Sequence, residues 1–154
     1  MKARWIRLGR LDLIGFEEAV AHLAGAQRAG AAPILAWAER ETDFLFALIA
    51  PRKYAPGRVH RWLAWALAPA VATYRQYGVP AYFEGESIAL HGAAIARATA
   101  RSIGECAVVA SSFLGRWPSR ELEDVFRLRL EAQHGWQFDH SWPSERESVR
   151  YALA

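Results

Sequence analysis

Few residues in this 154-residue chain have side chains suited to covalent or acid–base chemistry. It holds one cysteine, five histidines and two lysines, Lys2 and Lys53. Cys106 opens the apolar run Cys106–Phe113 and is the weak candidate for a catalytic residue. A thiol attacks only as the thiolate, which needs a nearby histidine or cation. Glu105 beside it works the other way, and Arg101 and His91 can approach only through the fold. The plainer fate of a lone cysteine is that of a small buried hydrophobe. Ser111 and Ser112 end the same run and read as polar strand-end residues. His134, Asp139 and His140 cluster in sequence, but a metal needs three or four ligands in a defined geometry, and the spacing His134-x5-His140 is not a helical pair. No metal site is expected. Arg52, Lys53 and Arg58 precede a helix and could hold a carboxylate or phosphate there. The turn Arg40-Glu41-Thr42-Asp43 lies between two strands, where turns can line a site, though a solvated turn is the simpler reading. No phosphate-binding Gly-Lys-Ser/Thr loop, dinucleotide Gly-x-Gly-x-x-Gly or Gly-x-Ser-x-Gly elbow is present.

The elements that must position these residues follow from the hydrophobic pattern. Trp5–Leu8 alternates as a strand, and Phe16, Ala19, Val20 and Leu23 mark a helix that runs toward Gly30. Ile34–Trp37 is a strand. Phe44–Ala50 is short and continuously apolar, the pattern of a buried strand. A helix is predicted from about Arg58 to Tyr77, with Val59, Leu63, Ala66, Ala70 and Tyr74 on its buried stripe, a kink or break at Pro69, and Gly78 as its C-terminal cap. Val79–Phe83 enters a further strand. Ser87–Leu90, Ala94–Arg101 and Cys106–Phe113 then form a meander with turns at His91-Gly92 and Gly104. Ser119 is placed to cap a last helix bearing Leu122, Val125, Phe126 and Leu130, which ends at Gly135. The tail holds Trp136, Phe138 and Trp142. These rings either pack over the last helix or offer a partner or dimer surface, where tryptophan is enriched.

Length implies a single domain over residues 1–154, with a core at about 5–133 and an aromatic tail at 134–154. The apolar fraction, 53%, supports a sizeable core and excludes a disordered chain. The net charge of +3 comes from scattered basic residues, which is no nucleic-acid footprint. One cysteine excludes a disulfide framework. The longest apolar run, Trp62–Thr73, is too short to span a bilayer, and no signal-peptide pattern follows the N-terminus. A cytoplasmic protein without membrane contact is expected.

The element order resembles the biotin/lipoate protein ligase and lipoyl octanoyltransferase superfamily. Three segments carry the likeness. Leu8-Gly9-Arg10 followed by Phe16-Glu17-Glu18-Ala19 is similar to the family's opening strand and helix. Phe44–Pro51 through Arg58-Val59, ending in Tyr77-Gly78-Val79-Pro80-Ala81, is similar to its buried strand, loop and long helix. Glu86–Ala96 resembles the strand, turn and Gly-x-Lys-Ile-Ala strand.

The resemblance implies an α+β fold, a shortened form of the ligase fold, with helices packed on one face of a mixed, mostly antiparallel sheet. It implies a lipoyl, octanoyl or biotinyl ligand with its polar end near Arg40 and His91, and an acyl-carrier or lipoyl-type protein as partner. The departures are chemical. The family lysine falls on Ala94, and Lys53 is the lysine left to substitute, from another element. The glycine-rich loop is reduced to Glu39-Arg40-Glu41-Thr42-Asp43, and the octanoyltransferase Pro-Cys-Gly has no counterpart after Phe113. An amine that neutralises developing negative charge typically supplies about 3–4 kcal/mol. The scaffold is therefore implied without its usual catalysis. The alternative is a non-catalytic protein-interaction module or homodimer using Trp136, Phe138 and Trp142.

Overall fold

The computed structural model describes residues 1–28, 31–41, 43–115 and 121–139. Its elements are β1 (Lys2–Arg10), α1 (Leu13–Gly25), β2 (Ile34–Glu39), β3 (Phe44–Pro51), two short 3-10 turns (Arg52–Tyr54 and Val59–Arg61), α2 (Trp62–Gln76), β4 (Tyr82–Glu84), β5 (Ser87–Leu90), β6 (Ala93–Ile103), β7 (Cys106–Leu114), α3 (Glu121–His134) and β8 (Gln137–Phe138). The strands form one sheet in the order β4-β5-β6-β7-β3-β2-β1-β8. Pairing is parallel at β1–β2 and β1–β8 and antiparallel everywhere else. A parallel β1–β2 pair needs a crossover, and α1 supplies it.

Expected on one face, the helices cover both. In β1 to β3 and β7, alternate residues go to opposite sides. Trp5, Leu35, Trp37, Phe46, Leu48 and Val109 join one buried cluster with α2 and α3. Ile6, Leu8, Ile34, Leu45, Ile49, Cys106 and Val108 join a second with α1. A strand that is apolar at successive positions needs cover on both sides. The first helix starts earlier than its apolar stripe suggests, because Asp12 caps it: the carboxylate accepts from the Gly15 N–H at 2.7 Å.

The face shared by α2 and α3 is rich in rings. Trp5 lies 5.7 Å from Trp37 and 5.4 Å from Phe138, and Phe126 of α3 lies 5.3 Å from Phe46. Glu123 pins α3 to β1. Its carboxylate accepts from Trp5 Nε1 at 3.1 Å and from Arg7 at 3.0 Å. Burial nevertheless pushes the Glu123 carboxyl up, against the pull of Arg7.

Helix α2 runs through Pro69 without a break. The tail adds a strand with no signature of its own. Gln137 N–H bonds to the Met1 carbonyl at 2.8 Å, and Asp139 N–H to that of Ala3 at 2.9 Å. Trp136 and Phe138 are buried in the chain's own core, so neither ring offers a dimer surface. Ser119, His140 and Trp142 lie outside the described residues.

Candidate functional site

One end of the sheet gathers the end of β2, the start of β3, the β5–β6 turn and the end of β7. Antiparallel pairing dictates this: Glu39 pairs with Phe44, Phe44 with Leu114, and Leu114 with Ala96. Arg40, at the end of β2, therefore lies about 14 Å, three strand spacings, from the start of β6. There Ala94 is exposed.

Arg40 is already engaged. Its Nε donates to Asp43 Oδ1 at 2.6 Å, one terminal nitrogen donates to Asp43 Oδ2 at 2.5 Å, and the same nitrogen reaches the Ser112 carbonyl at 3.2 Å. The Asp43 hydrogen bonds raise the Arg40 pKa further, with burial opposing. Such a bidentate pair is geometrically specific. It ties the β2–β3 turn to β7, and among the described residues the second terminal nitrogen of the guanidinium makes no hydrogen bond.

Tyr74 reaches this end from the last turn of α2. Its hydroxyl donates to the Gly115 carbonyl. Burial, then the charge of Asp43, push that hydroxyl well above its ordinary pKa, so it stays a proton donor. Gly115 in turn donates its N–H to the Ile95 carbonyl at 2.7 Å. A Cβ at Gly115 would lie 3.1 Å from that carbonyl oxygen, so a side chain there would require the β6 backbone to give by a few tenths of an ångström. The sequence marks Tyr74 only as part of a buried stripe. Its hydroxyl, at the end of an otherwise apolar face, was the available signal.

His91 stands at the same end. Leu90 pairs with Ala93, leaving His91 (φ 51) and Gly92 (φ 83) as a two-residue turn with both residues left-handed. The turn is held from β4, where the Tyr82 hydroxyl accepts from the Gly92 N–H at 3.1 Å. Arg40, Asp43, Tyr74, His91 and Ala94 thus share one end of the sheet, with Arg40 and Ala94 three strands apart. That end can orient an anionic or polar head with the Arg40 guanidinium and main-chain groups.

Lys53 and Cys106 are elsewhere. Both lie at the far end of β3, about 20–25 Å along an eight-residue strand. Lys53 is exposed and sits 5.0 Å over the Tyr54 ring. Cys106 is 1% exposed among the α1-side core residues. Burial, then Glu105, push its thiol up, with Arg52 opposing. Ser111 repairs the sheet: where the β3–β7 register shifts, its hydroxyl accepts the Phe46 N–H at 2.8 Å. His134 stacks on Trp136 at 4.4 Å, and Asp139 continues the β8 pairing. Among the described residues no group of three or more His, Cys, Asp or Glu could hold a metal. No described helix is long and apolar enough to cross a membrane.

No protein-family model and no curated protein matches the chain. Solved structures do. A bi-partite lipoate protein ligase from Thermoplasma acidophilum, described with its E2 lipoyl domain, matches with TM-score 0.74 and 9% identity over 99% of this chain and 91% of that one. Protein Ta0514 of T. acidophilum with bound lipoic acid gives TM-score 0.75 and 11% identity over 99% and 94%. A biotin acetyl coenzyme A carboxylase synthetase from Helicobacter pylori, with bound biotinylated ATP, gives 0.58 and 11% over 86% and 74%. These superpositions show that the chain has the biotin/lipoate protein ligase fold.

Proposed function

We propose that this chain uses the ligase scaffold to bind a lipoyl, octanoyl or biotinyl group without carrying out the usual ligation. The observation that carries the proposal is Ala94. It stands at the lysine position of the Gly-x-Lys-Ile-Ala pattern, exposed at the start of β6. The amine that would neutralise an acyl carboxyl or its activated form is absent there, and Lys53 is too remote to replace it. The described part of the neighbouring turn has Arg40 clamped on Asp43 rather than a glycine loop open to a ligand backbone. The lipoyl and biotinyl classes are supported by the matched structures, which hold lipoic acid and biotinylated ATP. An acyl-carrier or lipoyl-type protein as partner is supported by the T. acidophilum ligase described with its E2 lipoyl domain.

Native mass spectrometry with lipoate, octanoate and biotin, each with and without Mg-ATP, tests the proposal. One non-covalent ligand without adenylate formation is the expected result. Adenylate, or transfer to an added lipoyl domain, would overturn the non-catalytic half. No ligand in any condition would overturn the binding half. It would favour the second reading, a protein-interaction module on the same scaffold, which the loss of the lysine also supports.

A further inference from the structure

The connection between β3 and α2, Arg52–Arg61, carries four of the chain's 19 basic residues with no acidic residue among them. Arg52, Lys53, Arg58 and Arg61 fall within it, along with His60, and all five are exposed. No carboxylate occurs anywhere from Phe44 to Phe83. The whole chain carries +3, so with four cations in this loop the remainder stands at −1.

None of the four cations makes an ion pair among the described residues. The pairs present use Arg7, Arg40 and Arg127. The Arg52 N–H bonds to the main-chain carbonyl of Glu105 at 3.1 Å, which engages no carboxylate. Protein surfaces normally intersperse both signs. Four unpaired cations held close together repel one another, a cost removed when an anionic surface meets them.

The loop is also built. Two 3-10 turns, Pro51 and Pro56 restrict it. The buried Trp62 donates its indole N–H to the Pro56 carbonyl at 2.7 Å. A held loop loses less entropy on docking than a free one.

We propose that Arg52–Arg61 is a docking surface for a carboxylate-rich face of a partner protein. Val59, half exposed at 50%, and the Tyr54 ring under Lys53 lie among the cations. Arginine and tyrosine beside an apolar residue are what protein interfaces favour. The loop's four cations are fewer than the about six to ten phosphate contacts of a typical duplex-binding protein. The inference is independent of any ligand bound at the other end of the sheet.

The test uses fluorescence anisotropy with the full-length protein and a short fluorescein-labelled peptide of alternating Asp and Glu. Binding at low salt that weakens as salt rises is expected. The variant R52Q/K53Q/R58Q/R61Q should lose at least about tenfold in affinity, about 1.4 kcal/mol. A control that removes four exposed cations elsewhere, K2Q/R4Q/R10Q/R28Q, should lose less than about twofold. Circular dichroism checks that both variants keep the fold. No binding, equal losses in the two variants, or tighter loop-dependent binding of a single-stranded oligonucleotide of matched charge would each overturn the proposal.

Discussion

The side-chain amide of Gln133, on α3, donates to the main-chain carbonyl of Trp65, on α2, at 2.8 Å. Pro69 explains the pairing. In an α-helix the Trp65 carbonyl would accept from the N–H four residues on, and proline has none. The neighbouring helix supplies the missing donor. Thr73, buried on the same helix, satisfies its own hydroxyl by donating to the Pro69 carbonyl at 2.7 Å. An interruption that the sequence marks as a kink or break is thus absorbed by a contact from another element.

Gln133→Ala should lower stability by about 0.5–1 kcal/mol, the net value of one such bond with water able to compete. In a Pro69→Ala background the carbonyl regains its intrahelical donor, and the same substitution should cost close to nothing. Urea unfolding of the four proteins gives the coupling. Equal costs in both backgrounds would show that Gln133 and Pro69 are unrelated.

His134 should make stability fall in mild acid. Burial between Trp65 and Trp136 holds it at about 4, below the ordinary 6.5. Its Nε2 is buried with no hydrogen-bond partner. The unfolded chain takes up this proton near 6.5, whereas the fold resists until about 4. Protonation therefore favours unfolding. The contribution is complete above pH 6.5, declines as pH drops toward 4, and levels off below. Discounted for partial exposure, the loss is about 1–2 kcal/mol. His134→Phe keeps a ring against Trp136 and should flatten the decline in urea melts from pH 7 to pH 4. A parallel decline in both proteins would assign it to other groups.

Much of the architecture could be read from local pattern, and the failures have a common physical cause. Alternation located β1 and β5, apolar runs located β2 and β7, turn residues delimited β6, and the uninterrupted Phe44–Ala50 run marked a buried strand, which the fold covers on both sides. That run already required cover on two faces, which placing the helices on one face did not provide. The two-residue β8 has no period; it exists because β1 offers the Met1 and Ala3 carbonyls. At the candidate site, His91-Gly92 was readable as a turn from its residue types. The Arg40–Asp43–Ser112 clamp and the Tyr74–Gly115 bond join residues far apart in sequence, which no local spacing records.

Phe138→Ala should be costly despite its place near the chain's end. The ring is fully buried, edge-on to Trp5 at 5.4 Å. Truncation should cost about 3–5 kcal/mol. Because Trp136 and Phe138 face inward, the wild-type chain should show no self-association through them. Light scattering of wild type and a conservative Phe138→Leu variant checks this. A wild-type dimer lost in Phe138→Leu would mean the ring is exchanged between copies.

Cys106 should react as a structural thiol. It is buried with its thiol pushed up, so native labelling by a disulfide reagent should be slow and become fast in urea. Native labelling as fast as that of an unfolded thiol would show that the thiol reaches solvent as a thiolate, and would restore it as a nucleophile candidate.

Ala94→Lys tests the binding end directly. If the polar head of an acyl ligand lies by the start of β6, an ammonium there adds one attractive interaction with a carboxylate. At an exposed position this is worth about 1 kcal/mol, or about fivefold in lipoate affinity. Ala93→Lys is the control. It is equally exposed but points to the opposite face of the strand, as alternation requires. Calorimetric titrations at matched salt should show the gain at position 94 and none at 93. A charge acting only through the overall field would raise both alike, and that outcome would remove Ala94 from the ligand's polar end. A gain at 94 alone places the carboxylate on that face of β6, at the end of the sheet that also carries Arg40.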